Sequence, residues 1–308
     1  MSLAPGRPAR PERDQDRLAF YVYRALFEVG RRLPYPVATG LAQVAGVVCA
    51  STMVERRRLI ARHLDRVAGR ALSATAQRRQ VRQAFASYAR YWLDSTRATA
   101  DSRQEILSRV SCDGLEHLDA AVAAGRGVII ALPHLGSWDV GGAWLALRHP
   151  VTVVVEPVRP QRLFEWMVEK RKGLGMEVVP LGPAAATAVG RALRQGRVVA
   201  LVSDRDLSGT GVEVEFFGER TQLPGGPATL ALRSGAPLLP AAVYIHPDGT
   251  TRGVVRPPME IKRQASLRED VVRVTQAIAH ELEALIRLAP EQWHLFQPNW
   301  PSDPGYRP

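Results

Sequence analysis

Two different hydrophobic periods divide the sequence near residue 110. Before that point apolar residues recur every three or four positions, for example at Leu18, Val22, Leu26 and Val29. Apolar side chains at this spacing share one face of an α-helix. The pattern predicts a mainly helical region over residues 15–110. This region is preceded by a leader, residues 1–14, whose content of proline and charged residues predicts disorder.

After residue 110, short apolar runs rich in β-branched residues alternate with helical segments. The runs cover residues 127–132, 151–155, 197–203 and 237–245. Strands that alternate with helices are typical of a parallel sheet covered by helices. We predict an α/β fold with a central, mostly parallel sheet flanked by helices. A single domain is expected over residues 15–303, with its α/β core at 111–303 and a tail at 304–308.

The N-terminal region has the pattern of a membrane-facing surface. Residues 33–50 are uncharged and about the minimum length for a span, but prolines and glycines interrupt them. A buried or interfacial helix is therefore the preferred interpretation of this stretch. Residues 15–32 mix arginines with aromatic side chains, as interfacial helices do. A helix packed on the core would show the same pattern.

The charge balance favours anionic partners. The sequence has 41 Lys plus Arg against 30 Asp plus Glu, a net charge of +11. Such a surplus suits anionic lipid, coenzyme A or nucleic acid. Arginines at 56–58, 78 and 79 are candidates for contact with nucleic-acid phosphates, but no nucleic-acid-binding motif accompanies them and aromatic residues are only 6%. Two cysteines in unrelated contexts predict neither a disulfide framework nor a metal site.

The main candidate for chemistry follows the first apolar run, where residues 133–139 read PHLGSWD. His134 would stand in the turn after a strand and Asp139 in the first turn of a helix, with Ser137 as a candidate N-cap. On one continuous helix, five residues would separate the two side chains by about 140°. A histidine in this position can act as a general base while a carboxylate fixes its tautomer. H-x4-D also occurs by chance, but the carboxyl end of a parallel strand favours a binding or catalytic role.

HLGSWD and its preceding strand resemble the H-x4-D motif of the lysophospholipid acyltransferase-like superfamily, and more closely the bacterial lauroyl/myristoyl (lipid A) acyltransferases. Three further stretches support this resemblance, VSDRDLSGTGVEVEFFGE (202–219), GGPATLALRSGAPLLP (225–240) and PEQWHLFQPNWPSD (290–303). Together they are most similar to the actinobacterial branch, the phosphatidylinositol mannoside acyltransferases. The resemblance implies a lysophospholipid acyltransferase-like fold and transfer of a long acyl chain from acyl-CoA to a mannose hydroxyl. It also implies a peripheral enzyme on the cytoplasmic face of the cell membrane.

The resemblance also implies roles for individual residues. His134 becomes the general base and Asp139 its orienting partner. A further acid is expected to support the histidine; Asp204 in SDRD is the first choice and Glu213 in GVEVEFF the second, and the sequence does not separate them.

Substrate contacts are implied with less support from the residues themselves. Glu156 and Arg171 are expected to organise the acceptor site, although Arg171 also fits a solvated basic face. Arg205 is a candidate for phosphate contact, or else pairs with a neighbouring aspartate. Acyl-CoA is the donor substrate, and no cofactor or metal is expected. Another acceptor, such as a lipid A precursor or a lysophospholipid, stays open.

Overall fold

The computed structural model describes residues 14–207, 209–246 and 248–306. The described chain begins with helices α1 Asp14–Arg32, α2 Tyr35–Thr52, α3 Val54–Ala68, α4 Ala74–Ala98 and α5 Arg103–Arg109. The prediction of a helical N-terminal region is confirmed. The predicted leader lies outside the described residues, except for Asp14, where α1 begins.

The N-terminal helices pack around α4. Buried side chains of α3 and α4, among them Leu64 and Phe85, form a small core with Phe296 from the end of the chain. Helix α2 approaches α4 at Gly46, where a Cβ atom would lie 2.6 Å from the Cα of Ala86. Only glycine permits this backbone contact. The opposite faces of α1 and α2 are left apolar and exposed.

Across the described ranges, no helix by itself has the length and apolar composition needed to cross a bilayer. Helices α2 and α3, which meet at a bend of 98°, satisfy both criteria only as a pair.

The second region is built on a seven-stranded sheet. Its strands are β1 Val110–Asp113, β2 Val128–Leu132, β3 Val151–Val155, β4 Met176–Pro180, β5 Val198–Val202, β8 Leu238–Ile245 and β9 Thr251–Val255. Their order is β1-β9-β8-β2-β5-β3-β4, and only the β8–β9 pair is antiparallel within this sheet. Strands β6 Val212–Phe216 and β7 Glu219–Leu223 form a separate hairpin. The predicted α/β fold with a mostly parallel sheet is confirmed.

Helices cover both faces of the sheet. They are α6 Leu115–Ala123, α7 Trp138–Ala146, α8 Gln161–Gly173, α9 Ala185–Arg194, α10 Gly226–Ser234 and α11 Leu267–Arg287. Strand β2 is buried on both sides: Ile129 and Ala131 face the core formed with α9, α10 and α11, whereas Val128 and Ile130 face the core formed with α6 and α7. A continuous apolar run is the expected sequence of such a doubly covered strand.

The chain returns to the middle of the molecule in the segment 290–303. A single 3₁₀ turn, Pro290–Gln292, leads into a bridge between Trp293 and Leu135. Trp300 is fully buried. The Asp303 carboxylate accepts hydrogen bonds from His63 Nε2 at 3.1 Å and Arg66 Nη1 at 2.8 Å. This segment is therefore docked against α3.

Candidate active site

Neighbouring parallel strands bring His134 and Asp204 together. Leu132 of β2 pairs with Val202 of β5, and each candidate lies two residues further along its chain. His134 Nδ1 lies 2.7 Å from Asp204 Oδ1, and the His134 backbone N–H donates to Oδ2 at 3.0 Å. Asp204 is completely buried, whereas His134 is partly exposed. Because Nδ1 is engaged, Nε2 is the ring nitrogen that stays available for chemistry.

The C-terminal segment completes the surroundings of Asp204. Trp293 Nε1 donates to Asp204 Oδ2 at 2.7 Å, and Asn299 Nδ2 donates to the Asp204 carbonyl at 3.1 Å. Burial acts to raise the pKa of Asp204, but the charge of His134 and the hydrogen bonds from His134 and Trp293 hold it below its usual range. The Asp204 side chain is therefore an anion at neutral pH.

Asp139 has different partners, which corrects the expectation that it orients His134. Its Oδ1 accepts from Arg171 Nε at 2.9 Å, and its Oδ2 accepts from Arg171 Nη2 at 3.0 Å and from the Tyr91 hydroxyl at 2.8 Å. In the described part of the chain, no hydrogen bond joins Asp139 to His134. Asp139 does lie in the first turn of α7, as predicted, but that turn directs its carboxylate toward α4 and α8.

The predicted N-cap role of Ser137 is also wrong. Ser137 precedes α7 but forms no capping hydrogen bond. Its hydroxyl donates instead to Asp94 Oδ2 at 3.2 Å.

Arg171 is not part of a solvated basic face. Its side chain is only 11% exposed and forms a bidentate pair with Asp139. Burial acts to lower the pKa of Arg171, but the charge of Asp139 raises it above its usual range. Within the described residues, Arg171 Nη1 is buried and has no hydrogen-bond partner. Burial also raises the pKa of Tyr91, and the charge of Asp139 adds to this effect.

Gly136 allows the turn that carries His134. It has φ +59°, and a Cβ atom there would overlap the carbonyl oxygen of Val243. Its N–H donates to the Gln292 carbonyl at 2.9 Å. The glycine of HLGSWD is thus required by backbone geometry rather than by chemistry.

A cavity of about 1480 Å³ opens beside the histidine. His134, Asp139, Glu156, Arg171 and Arg205 all line it. Glu156 is exposed directly after β3, and Arg205 is partly exposed directly after Asp204. Most other lining residues are apolar side chains of the sheet and of α8, α9 and α10, such as Val153, Phe164 and Leu193. The polar candidates therefore line one cavity whose surface is mostly apolar.

Glu213, the alternative to Asp204, does not belong to this site. It lies on the exposed face of β6 and pairs with Arg220 at 3.4 Å. The alternation of β6 explains this position, because Val214 and Phe216 point into the core and the glutamates between them point outward.

Several residues at the site escaped the sequence analysis. Tyr91 stacks on Trp138 with ring centroids 3.9 Å apart, and Trp138 packs edge-on against His134 at 5.5 Å. His294 is buried, and its pKa is lowered to about 3, first by burial and then by the charge of His134. It is therefore neutral, and its Nε2 lies 2.9 Å from Ser87 Oγ. The helical spacing of α4 and the aromatic content of the C-terminal segment are the sequence features that could have identified these residues.

An imidazole and a buried carboxylate thus lie at adjacent strand ends of an α/β sheet, the edge at which such sheets bind ligands, beside a mostly apolar cavity. The chain belongs to the bacterial lipid A biosynthesis acyltransferase family, whose model matches residues 10–302. It is an acyltransferase.

Individual relatives refine this assignment. The chain is 34% identical to the phosphatidylinositol mannoside acyltransferase of Mycolicibacterium smegmatis over 285 residues, 91% of each chain. It is 41% identical to the protein of the same name from Mycobacterium tuberculosis H37Rv over 225 residues, 70% of this chain and 69% of the relative. With the lipid A biosynthesis palmitoleoyltransferase of Escherichia coli K12 it shares 26% identity over 232 residues, 74% of this chain and 75% of the relative.

Proposed function

We propose that this protein transfers a long acyl chain from acyl-CoA to a mannose hydroxyl of a phosphatidylinositol mannoside. The observation that carries the proposal is the His134–Asp204 pair, whose histidine lines a large and mostly apolar cavity. The acceptor class follows the mycobacterial relatives, which are more similar to this chain than the lipid A enzyme is.

The proposed reaction is a direct transfer. His134 Nε2 removes the proton of the acceptor hydroxyl as its oxygen attacks the thioester carbonyl carbon. The tetrahedral intermediate collapses with formation of the ester C–O bond and cleavage of the C–S bond. The proton then passes from His134 to the departing thiolate, which leaves as coenzyme A. Asp204 holds the proton on Nδ1 and stabilises the imidazolium between the two steps.

Asp139 has a positioning role in this proposal. Its two carboxylate oxygens hold the Arg171 guanidinium, and the unpartnered Nη1 of Arg171 is then free to donate to a polar group of the acceptor. Glu156 and Arg205 line the same cavity and are the other proposed contacts of the substrates. Arg205 suits an anionic group of either substrate because its charge is partly exposed.

The apolar cavity is the proposed site of the acyl chain. Each buried methylene contributes about 0.8 kcal/mol, so a donor that is two methylenes too short for the cavity should lose roughly tenfold in kcat/KM. The measurement is kcat/KM for a series of saturated acyl-CoA donors. A flat profile across the series would count against a chain bound in this cavity.

The exposed apolar faces of α1 and α2 are the proposed membrane contact. Leu18, Leu26, Leu41 and Val44 are each more than half exposed. Apolar patches of this kind mark sites of interaction with other molecules or with lipid. Since acyl-CoA is a cytoplasmic metabolite, the proposed location is the cytoplasmic face of the membrane, bound peripherally.

The decisive experiment is mass spectrometry of the products formed from palmitoyl-CoA and a phosphatidylinositol mannoside dispersed in detergent. We expect one added acyl group with the wild type, no product with His134→Ala, and wild-type turnover with His280→Ala, which removes an exposed histidine. Turnover by His134→Ala would refute the assignment of the base. Acylation of a lipid A precursor or a lysophospholipid instead of the mannoside would replace the acceptor but keep the chemistry.

A further inference from the structure

A second cavity, of about 310 Å³, lies in the N-terminal helical region among α2, α3 and α4. Four arginines contribute to its lining, Arg57, Arg58, Arg78 and Arg82. All four are exposed residues, and none lines the cavity next to His134. We refer to these four residues and the space between them as the arginine pocket.

The arginine pocket has no internal counter-charge. Over the described ranges none of its four guanidinium groups forms an ion pair, and the one hydrogen bond they make is from Arg57 Nη1 to the Ala50 carbonyl at 3.5 Å. Other surface arginines do find carboxylates, as Arg273 does with Asp270 at 2.8 Å. Four like charges around one small cavity repel each other, so an anion is the ligand they favour.

An apolar stripe leads to the pocket along α2. Val37, Leu41, Val44 and Val48 are 50%, 55%, 62% and 54% exposed. Their spacing of four, three and four residues places them on one face of the helix. The next position on that face is Ser51, which lines the arginine pocket. The arginine pocket and the apolar stripe on α2 are therefore continuous on one surface.

This continuity selects the class of ligand. A molecule with an anionic phosphate head and apolar chains matches both parts of the surface, whereas free phosphate or nucleic acid would leave the stripe in water. We propose that the arginine pocket binds the phosphate headgroup of an anionic phospholipid while the stripe on α2 contacts the acyl region. The inference rests on the membrane contact proposed above, and it adds a selectivity for anionic lipid that an apolar face alone does not supply.

The test is binding of the full chain to vesicles of phosphatidylcholine alone and of phosphatidylcholine mixed equally with phosphatidylglycerol. The pocket variant is Arg58→Gln/Arg82→Gln. The matched control, Arg191→Gln/Arg268→Gln, removes the same charge from exposed arginines of α9 and α11. Each arginine near an anionic surface contributes about fivefold, so the pocket variant should bind mixed vesicles about thirtyfold more weakly. The control should stay within about twofold, because salt screens distant charges.

Other outcomes separate the alternatives. Equal losses of vesicle binding in the two variants, or no loss in the pocket variant, would refute the headgroup site in the arginine pocket. The proposed membrane contact would still stand if the wild type bound to vesicles. Displacement by inorganic phosphate at constant ionic strength would identify a soluble phosphate as the ligand instead. Binding to duplex RNA that the pocket variant loses would identify nucleic acid. No wild-type binding to either vesicle would overturn the membrane contact and the pocket together, and transfer to the detergent-dispersed acceptor tests catalysis independently.

Discussion

Asp204→Asn tests which carboxylate supports His134, and the structure defines what the substitution does. Oδ2 of Asp204 accepts from two donors, the His134 backbone N–H and Trp293 Nε1, so the amide oxygen of the asparagine takes this position. Its NH₂ group then faces His134 Nδ1, which must become the acceptor. The proton moves to Nε2, and this tautomer is unable to take a proton from the substrate.

The expected loss is large and specific to catalysis. In serine proteases, replacing the aspartate beside the catalytic histidine with asparagine causes the same change of tautomer, and kcat falls about 10⁴-fold. We expect kcat to fall roughly 10³- to 10⁴-fold here with KM for acyl-CoA little changed. Asp139→Asn is the matched control. This substitution removes the negative charge that pairs with the buried Arg171 guanidinium. The loss is expected to lower the free energy of unfolding by up to about 3–5 kcal/mol.

The assay combines steady-state transfer from palmitoyl-CoA with urea unfolding of each variant. Asp204→Asn should lose kcat and keep most of its stability. Asp139→Asn should lose stability, and its remaining activity should keep the wild-type dependence on pH. The reasoning would be refuted if folded Asp204→Asn kept kcat within tenfold of the wild type.

Three further changes test the supports of the site. Trp293→Phe removes one hydrogen bond to the buried Asp204 anion, and we expect kcat to fall by roughly 10- to 100-fold at similar KM, an effect of about 1.5–3 kcal/mol; an unchanged kcat would contradict this role. Gly136→Ala should lower the free energy of unfolding by at least about 2 kcal/mol because of its positive φ, whereas Gly40→Ala in the open interior of α2 should raise it by up to about 1 kcal/mol in the same urea titration. Burial raises the pKa of Asp303, but its hydrogen bonds, first that from His63, lower it well below 3.8 overall; its contribution to stability is therefore present above that pH and lost as the pH falls below it. Asp303→Asn should flatten the dependence of the free energy of unfolding on pH between neutrality and about pH 2. An unchanged slope would refute the contribution of the ionised Asp303 carboxylate to stability.

Hydrophobic period was sufficient to predict the layout of the fold. Residues 151–155 coincide with β3, and the helical spacing before residue 110 corresponds to α1–α5. Two of the strands that were missed have weak patterns: β4 contains Glu177 and Pro180, and β9 contains Arg252 and Gly253. Such strands form because neighbouring strands supply their hydrogen bonds, and this information is not local in sequence.

The limits of prediction at the site have a similar cause. His134 and Asp204 were recognised as strand-end residues, but their contact depends on β2 and β5 being adjacent, which the order of strands in the chain does not reveal. Asp139 was assigned to His134 because the resemblance to the H-x4-D motif implies that pairing. The direction of its side chain is set by Arg171 and Tyr91, which come from α8 and α4.

The docking of the segment 290–303 has a consequence for the timing of activity during synthesis. Trp293 follows Asp204 by 89 residues and Asn299 follows it by 95, so translation completes the strands of the sheet well before their hydrogen bonds to Asp204 can form. The same segment is fastened to the earliest part of the fold through His63 and Arg66 of α3. A growing chain therefore lacks the hydrogen bonds from Trp293 and Asn299 to Asp204 until the segment 290–303 has been made and has docked.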